Sequence, residues 1–297
     1  MPRTCKPRVI AFHVALVGMM LLVSPVVWPQ NTRTESAQAY LERGNEAIAK
    51  GDPRRALADF NLAVASDPQL DAAWYNRAVA LYDLGELSKA TSDLNRALKL
   101  NPKYTKAWIK RGNAHAAQGE LEEALADYNA ALRLEPNSLL AVNNRGLIKQ
   151  QLKDYAGALA DYQRALKLAP VNVLVFNNLA SVKHDLGDYR GALADYNRAI
   201  EINPEWAAAW CNRGLTQKAL GNLQGALKDY DRAIALKPDF ALAYFNRSWV
   251  KRQLGRGDEA REDYERSLKL QAAESEASAA GAKFQLKLEE PPPSNKQ

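Results

Sequence analysis

One spacing governs most of this 297-residue chain, because four kinds of residue each recur every 34 residues. Proline marks one phase, glycine a second, alanine a third, and an aromatic residue or leucine a fourth. The prolines are Pro68, Pro102, Pro136, Pro170, Pro204 and Pro238. A repeat period of about 20–50 residues indicates a solenoid or a related array, in which each unit buries its apolar face against its neighbours.

Each repeat is predicted to contain two helices, helix A and helix B. With the 34 positions numbered from 1, position 15 is glycine in all repeats except one, where Lys153 replaces it. Glycine favours a tight reversal between the helices, and proline at position 32 prevents helix B from continuing. Helix B has apolar residues mainly at positions 17, 20, 21, 24, 27 and 28, which lie on one helical face. The predicted repeats are 37–70, 71–104, 105–138, 139–172, 173–206, 207–240 and 241–274.

Two repeats show the same five residues in the same order: tryptophan, glycine, alanine, tyrosine and proline. They are Trp108, Gly112, Ala124, Tyr128 and Pro136, and Trp210, Gly214, Ala226, Tyr230 and Pro238. This order resembles the tetratricopeptide repeat, and the resemblance extends over about four fifths of the chain. It implies an all-α, right-handed α-solenoid of helix-turn-helix units, whose A helices line a concave groove.

Position 7 departs from the family pattern, because arginine replaces the usual leucine in six repeats. The position lies on the apolar side of helix A, where an unpaired guanidinium is costly. Position 23 of helix B is aspartate in all seven repeats, so we predict structural ion pairs rather than a stripe for anionic ligands such as RNA. Leu179 replaces the arginine in the fifth repeat, so Asp195 needs another donor. The predicted pairs join Arg77, Arg111, Arg145, Arg213 and Arg247 to Asp93, Asp127, Asp161, Asp229 and Asp263.

The opposite side of helix A is predicted to form the binding groove. Asparagine recurs there, and an amide can both donate and accept hydrogen bonds with the backbone of an extended peptide. The predicted amide ladder contains Asn45, Asn76, Asn113, Asn144, Asn178, Asn212 and Asn246. Asparagine is also common at these positions throughout the family, so the column alone does not establish a binding role.

Other groove residues suggest more specific contacts. Lys106 and Lys110 match part of the family's carboxylate clamp, but the first clamp position is the uncharged Leu41. The two lysines are still expected to attract an acidic group. Phe245 and Trp249 are four residues apart on the last A helix, where they either anchor a partner or pack against the C-terminal tail.

The N-terminal segment is typical of an export signal. Three basic residues precede residue 9, and an apolar run follows from Val9 to Val23. We expect 1–30 to be a cleaved signal peptide or an uncleaved membrane anchor, 31–36 to be a linker, and 275–297 to be a disordered tail. The body is then exported to the periplasm or the cell exterior, with the membrane contacted only through the N-terminal segment.

Composition and motifs favour a protein-binding scaffold over an enzyme. The net charge of +6 is small, and three of the basic residues lie in the leader, so nucleic acid is not an expected partner. The sequence shows no paired-histidine, CxxC, phosphate-loop or nucleophile motif, so we expect no catalytic residue, metal or cofactor. The predicted partner is an extended peptide or protein segment held in the groove. The alternative is a structural assembly factor that docks a membrane or envelope complex through its convex face or ends, and the oligomeric state is left open.

Overall fold

The computed structural model describes residues 36–279, and these residues form fourteen α-helices without a β-strand. Odd-numbered helices are the A helices and even-numbered helices are the B helices. The A helices begin at residues 37, 71, 105, 139, 173, 207 and 241, the first residues of the seven repeats. The helices are α1 Ala37–Ala49, α2 Pro53–Ser66, α3 Asp71–Asp83, α4 Leu87–Leu100, α5 Thr105–Gln118, α6 Leu121–Leu134, α7 Leu139–Gln151, α8 Tyr155–Leu168, α9 Val173–Asp185, α10 Tyr189–Ile202, α11 Ala207–Ala219, α12 Leu223–Leu236, α13 Ala241–Gln253 and α14 Gly257–Ala279.

The turn between helix A and helix B has left-handed backbone at position 15. Six glycines there have φ between 74° and 81°, and Lys153 adopts φ 63° at the same place. Glycine reaches this region without a Cβ penalty, which explains its recurrence. The following helix often begins with a side-chain cap, as where Asp154 accepts from the Gly157 backbone N–H at 2.9 Å.

Small residues let the two helices of a repeat pack closely. The alanine column at position 20 is fully buried in the first six repeats, and the aromatic column at position 24 is buried beside it. Four of these rings lie against a glycine at position 8 of helix A. A Cβ on Gly146 would lie 2.7 Å from the Tyr162 ring, so a larger residue there displaces the ring.

The last repeat differs from the others because α14 continues to Ala279. Residues 275–279 are therefore helical, so the last helix extends beyond residue 275, where the predicted tail begins. The physical reason is that Ala272 occupies position 32, where the other repeats have the helix-blocking proline.

Two predicted segments fall largely outside the described residues. They are the leader with its linker, before residue 36, and the tail beyond residue 279. Within 36–279, no helix combines the length and the apolar character that crossing a membrane requires.

Candidate interaction site

The structure brings each predicted arginine onto the aspartate of its own repeat. Arg145 shows the arrangement: its Nε lies 2.9 Å and its Nη2 2.5 Å from the two carboxylate oxygens of Asp161. The remaining nitrogen, Nη1, donates to Asn129 at position 25 of the preceding repeat, at 2.8 Å. The same three contacts recur for Arg77, Arg111, Arg213 and Arg247 with Asp93, Asp127, Asp229 and Asp263. Each arginine therefore joins two helices of one repeat and also links that repeat to the one before it.

A second cation, which was not predicted from the sequence, reaches some of the same carboxylates. Lys149 and Lys251, at position 11, lie 2.8 Å from Asp161 and Asp263. In the fifth repeat, Lys183 at that position lies 2.5 Å from Asp195 and forms the ion pair that Leu179 cannot form. The sequence feature that could have predicted these pairs is lysine at position 11, where the family pattern has tyrosine. Because the arginines are engaged with protein partners, their column is an internal network rather than an open surface for anions.

The electrostatics of this network are clearest in the last repeat. Burial alone would raise the pKa of Asp263, but hydrogen bonds from Arg247 and Lys251 outweigh it and hold that pKa below its usual value. Burial would lower the pKa of Arg247, but its hydrogen bonds to Asp263 and Asp231 outweigh burial and raise that pKa above its normal range. Both groups are therefore charged at neutral pH.

The predicted asparagine column links neighbouring A helices. Asn144 Nδ2 donates to Asn113 Oδ1 at 3.0 Å, and Asn178 Nδ2 donates to Asn143 Oδ1 at 3.1 Å. Asn76 bonds Asn45 in the same way, Asn212 bonds Asn177, and Asn246 faces the Cys211 sulfur at 3.9 Å. The amides therefore form a ladder whose steps bond to one another.

The ladder bears on the predicted column that holds a peptide backbone, because its amides already bond to one another. Asn144, Asn178 and Asn246 are buried, whereas Asn76, Asn113 and Asn212 are half-buried and Asn45 is exposed. Asn143 and Asn177, which serve as acceptors, are also buried and were not predicted as ladder members. Helical angles alone place position 6 on the groove side, but they do not give the distance to the next helix.

A cavity of about 500 Å³ opens between the A helices of repeats two to five. Its apolar lining includes Tyr82, Leu140, Leu147 and Leu174. Leu140 is 51% exposed and lies on this apolar lining beside the other leucines, so its exposed surface is part of a continuous apolar patch. The leucines at position 2 were not singled out from the sequence, although they are apolar residues on a mainly polar face.

Lys110 is the cation among the described residues that line this cavity. Its amino group lies 4.4 Å from the centre of the Tyr82 ring. Burial lowers the pKa of Lys110, and the nearby Asp83 partly opposes that shift. Lys106 is exposed one turn earlier on α5 and does not line the cavity. The site thus combines an apolar floor, one partly desolvated positive charge and the amides of Asn113, Asn143 and Asn144.

Phe245 and Trp249 lie at the other end of the described solenoid. They line a separate cavity of about 550 Å³ between α13 and α14, together with Arg252, Arg261 and Tyr264. The Phe245 and Tyr264 ring centres are 6.3 Å apart, whereas Trp249 is 47% exposed. The tail beyond residue 279, the predicted alternative contact for these two aromatic residues, lies outside the described residues.

Reactive and metal-binding groups do not converge in the described part of the chain. No group of three or more histidine, cysteine, aspartate and glutamate side chains between residues 36 and 279 has metal-binding geometry. Burial raises the pKa of the Cys211 thiol to about 11, so this cysteine is protonated at neutral pH.

Comparison with known proteins identifies the repeats. Four tetratricopeptide repeat family models match residues 37–70, 72–104, 112–181, 180–221, 207–240 and 241–274. An uncharacterised protein of Methanocaldococcus jannaschii is 41% identical over 51 residues, or 17% of this chain. That match spans about 59% of the relative's own length.

Solved structures share the fold. A tetratricopeptide repeat protein from Parabacteroides merdae superposes with a TM-score of 0.70 at 22% identity, covering 83% of this chain and 97% of that one. PilW, a type IV pilus biogenesis factor, gives 0.63 at 24% identity, covering 68% and 94%. YrrB, described as having an unusual peptide-binding site, gives 0.50 at 26% identity, covering 62% and 95%. The predicted fold class, a right-handed all-α solenoid, is confirmed, and the chain belongs to the tetratricopeptide repeat family, whose members are generally non-enzymatic interaction scaffolds.

Proposed function

We propose that this protein binds an extended protein segment in its concave groove, at the cavity between Tyr82 and Leu174. The observation that carries the proposal is the exposed apolar floor of that cavity around Leu140. Ligand sites combine apolar walls with a few placed polar groups, and this cavity has that composition. The proposed activity is reversible binding, and the bound segment is not covalently changed.

The lining indicates which segment fits best. Leucine and tyrosine side chains accept an apolar residue, and Lys110 attracts a carboxylate beside it. A desolvated amine gains more from a carboxylate than an exposed one does, because water screens it less. The preferred ligand is therefore an apolar side chain followed closely by an acidic group. The peptide-binding site named for YrrB supports a peptide ligand by analogy.

The asparagine ladder has a supporting role in this proposal. Its amides set the spacing of the A helices and so the width of the groove. The groove leucines and Lys110 then select the ligand, and Asn113, Asn143 and Asn144 line the same cavity.

The proposed location is outside the cytoplasm. The basic and apolar leader supports export, with the protein either released or tethered by an uncleaved segment. Cell fractionation tests this point: a chain lacking residues 1–30 should remain in the cytoplasm, whereas the full chain should reach the envelope.

A pull-down from envelope extract tests the groove. The bait is residues 31–297. The variant is Leu140→Glu, whose carboxylate removes the apolar contact on the cavity floor and repels the acidic group of the ligand. Leu242→Glu is the matched control, because Leu242 occupies the same repeat position and is 49% exposed but does not line the cavity. Circular dichroism checks that all three baits are folded.

The expected result is a partner retained by the parent bait and by Leu242→Glu but lost from Leu140→Glu. Lys110→Gln should weaken the same capture and make it less sensitive to salt. If Leu140→Glu captures the same proteins as the parent, the groove proposal is wrong. That result would favour the alternative, an assembly factor that docks through its convex face or ends, for which the exposed Tyr264 and Leu268 are available surfaces.

A further inference from the structure

The groove cavity holds two hydrogen-bond donors side by side. Asn113 Oδ1 already accepts from the Tyr128 hydroxyl at 2.6 Å and from Asn144 Nδ2 at 3.0 Å. A carbonyl oxygen has two lone pairs, so these contacts fix the Asn113 amide, whose Nδ2 makes no hydrogen bond within residues 36–279. Lys110 lies three residues earlier on the same face of α5 and also lines the cavity. A carboxylate on a ligand would satisfy both donors.

The cavity also has the length of a short extended segment. Its lining runs across four successive A helices, from Tyr82 on α3 to Leu174 on α9. Packed helices lie about 8–10 Å apart, so the lining extends over roughly 24–30 Å. An extended strand rises about 3.3 Å per residue, so about seven to nine residues cover that length. Alternate side chains of such a segment face the same way, and the apolar lining favours apolar side chains on that side.

A segment with these properties occurs in this chain beyond the described residues. Residues 284–290 read Phe-Gln-Leu-Lys-Leu-Glu-Glu, so apolar side chains at every second position are followed directly by an acidic pair. Residues 1–35 contain no such sequence, because their one acidic residue, Glu35, follows the polar Arg33 and Thr34. The order of apolar side chains and then carboxylates matches the leucine floor of the cavity and its two donors.

We propose that residues 284–290 of a second copy of this chain bind in the cavity. The apolar side chains of the segment lie on the floor around Leu140 and Leu174, and its acidic pair lies at Lys110 and Asn113. This inference rests on the proposed function, because it assigns a ligand to the same cavity.

The reach of the chain favours a second copy over the same molecule. Helix α14 has 23 residues and α12 has 14, so α14 extends about 13 Å further than the B helix before it. A segment that returns from Ala279 to α5 must cover that distance and also four helix spacings of about 8–10 Å each. The ten residues from Ala279 to Glu289 span at most about 36 Å when fully extended, which is too short. A second copy has no such limit.

The proposed contact makes occupancy of the groove depend on protein concentration. A segment of one molecule meets the groove of another, so the contact is heterologous. At high concentration the segment fills the groove, and an outside ligand must displace it by mass action. The segment therefore sets the affinity that an outside partner must exceed.

Fluorescence anisotropy tests the contact, with a labelled peptide of residues 281–293 as the probe. The full chain in mild detergent should bind it saturably, and Leu140→Glu should weaken binding about tenfold or more, because its carboxylate repels the acidic pair. Leu242→Glu, exposed at the same repeat position but outside the cavity, should bind like the parent chain. Changing Glu289 and Glu290 to glutamine in the peptide should weaken binding about tenfold and reduce its dependence on salt.

Mixing two variants tests whether a second copy supplies the segment. Sedimentation velocity of the full chain should show association that rises with concentration. Association should be lost in Leu140→Glu and also in a chain that carries both Leu286→Ser and Leu288→Ser. In an equimolar mixture, the intact groove of one variant meets the intact segment of the other, so association should return. Circular dichroism verifies that both variants are folded.

Two results with the peptide would overturn the inference: no binding to the parent chain, or equal binding to Leu140→Glu. A parent chain that stays monomeric at every concentration, or a mixture that does not recover, would overturn it as well. The envelope pull-down separates this failure from failure of the proposed function. If the peptide does not bind but Leu140→Glu still loses an envelope partner, the groove binds another ligand and only the assignment of residues 284–290 is wrong.

Discussion

At the residue scale, the most informative departure from the family pattern is arginine at position 7. A guanidinium on a packed face is tolerated because an aspartate, and an amide or carboxylate from the preceding repeat, accept from its nitrogens. Arg145 with Asp161 and Asn129 shows this saturation. The arrangement also explains why arginine can occupy a position where related repeats have leucine. Its methylene groups pack as an apolar side chain does, and its guanidinium nitrogens are all hydrogen-bonded.

Loss of one carboxylate should therefore be costly. Asp161→Asn leaves two cations, Arg145 and Lys149, partly buried without their negative partner, and we expect a loss of about 2–3 kcal/mol in the free energy of unfolding. Urea unfolding followed by circular dichroism measures it. Glu201→Gln is the control, because its pair with Arg198 is exposed and should contribute less than about 1 kcal/mol. Equal effects of the two changes would contradict the structural role of the network.

At the element scale, the geometry that matters is the close approach of successive A helices. The phase of the repeats was sufficient to pair position 7 with position 23, because both columns run through the whole chain at a fixed offset. The repeat phase was not sufficient to predict the environment of the asparagine at position 6. A helical angle indicates the side of a helix, but only the distance between helices shows that Asn144 is buried and bonded rather than open to a ligand. The exposed Leu140 was missed for a related reason, since position 2 is leucine in only three of the seven repeats and so forms no column through the whole chain.

A substitution in the ladder should affect stability before it affects recognition. Asn144→Ala removes the donor to Asn113 and leaves a small void between α5 and α7, so we expect a loss of about 1–2 kcal/mol in the free energy of unfolding. Tyr128 still donates to Asn113 at 2.6 Å, which limits the cost. The exposed turn residue Asn137, changed to alanine, is the control and should have little effect in the same urea titration. An unchanged midpoint for Asn144→Ala would show that the ladder does not hold the helices together.

At the scale of the whole molecule, each repeat contacts only its neighbours in sequence, so stability adds up from nearest-neighbour interfaces. The largest buried cluster extends through repeats three to five, from Ile109 to Val182. The first and last described repeats each have one neighbour. The molecule should therefore be most stable in the middle, where the groove cavity is found, and should open from its ends.

Native-state hydrogen exchange followed by mass spectrometry tests this gradient. Backbone amides of α6–α9 should exchange most slowly, and those of α1, α2, α13 and α14 most rapidly, because the end helices unfold without disturbing the central cluster. Uniform protection along the chain would contradict the gradient and would indicate that all the repeats unfold together.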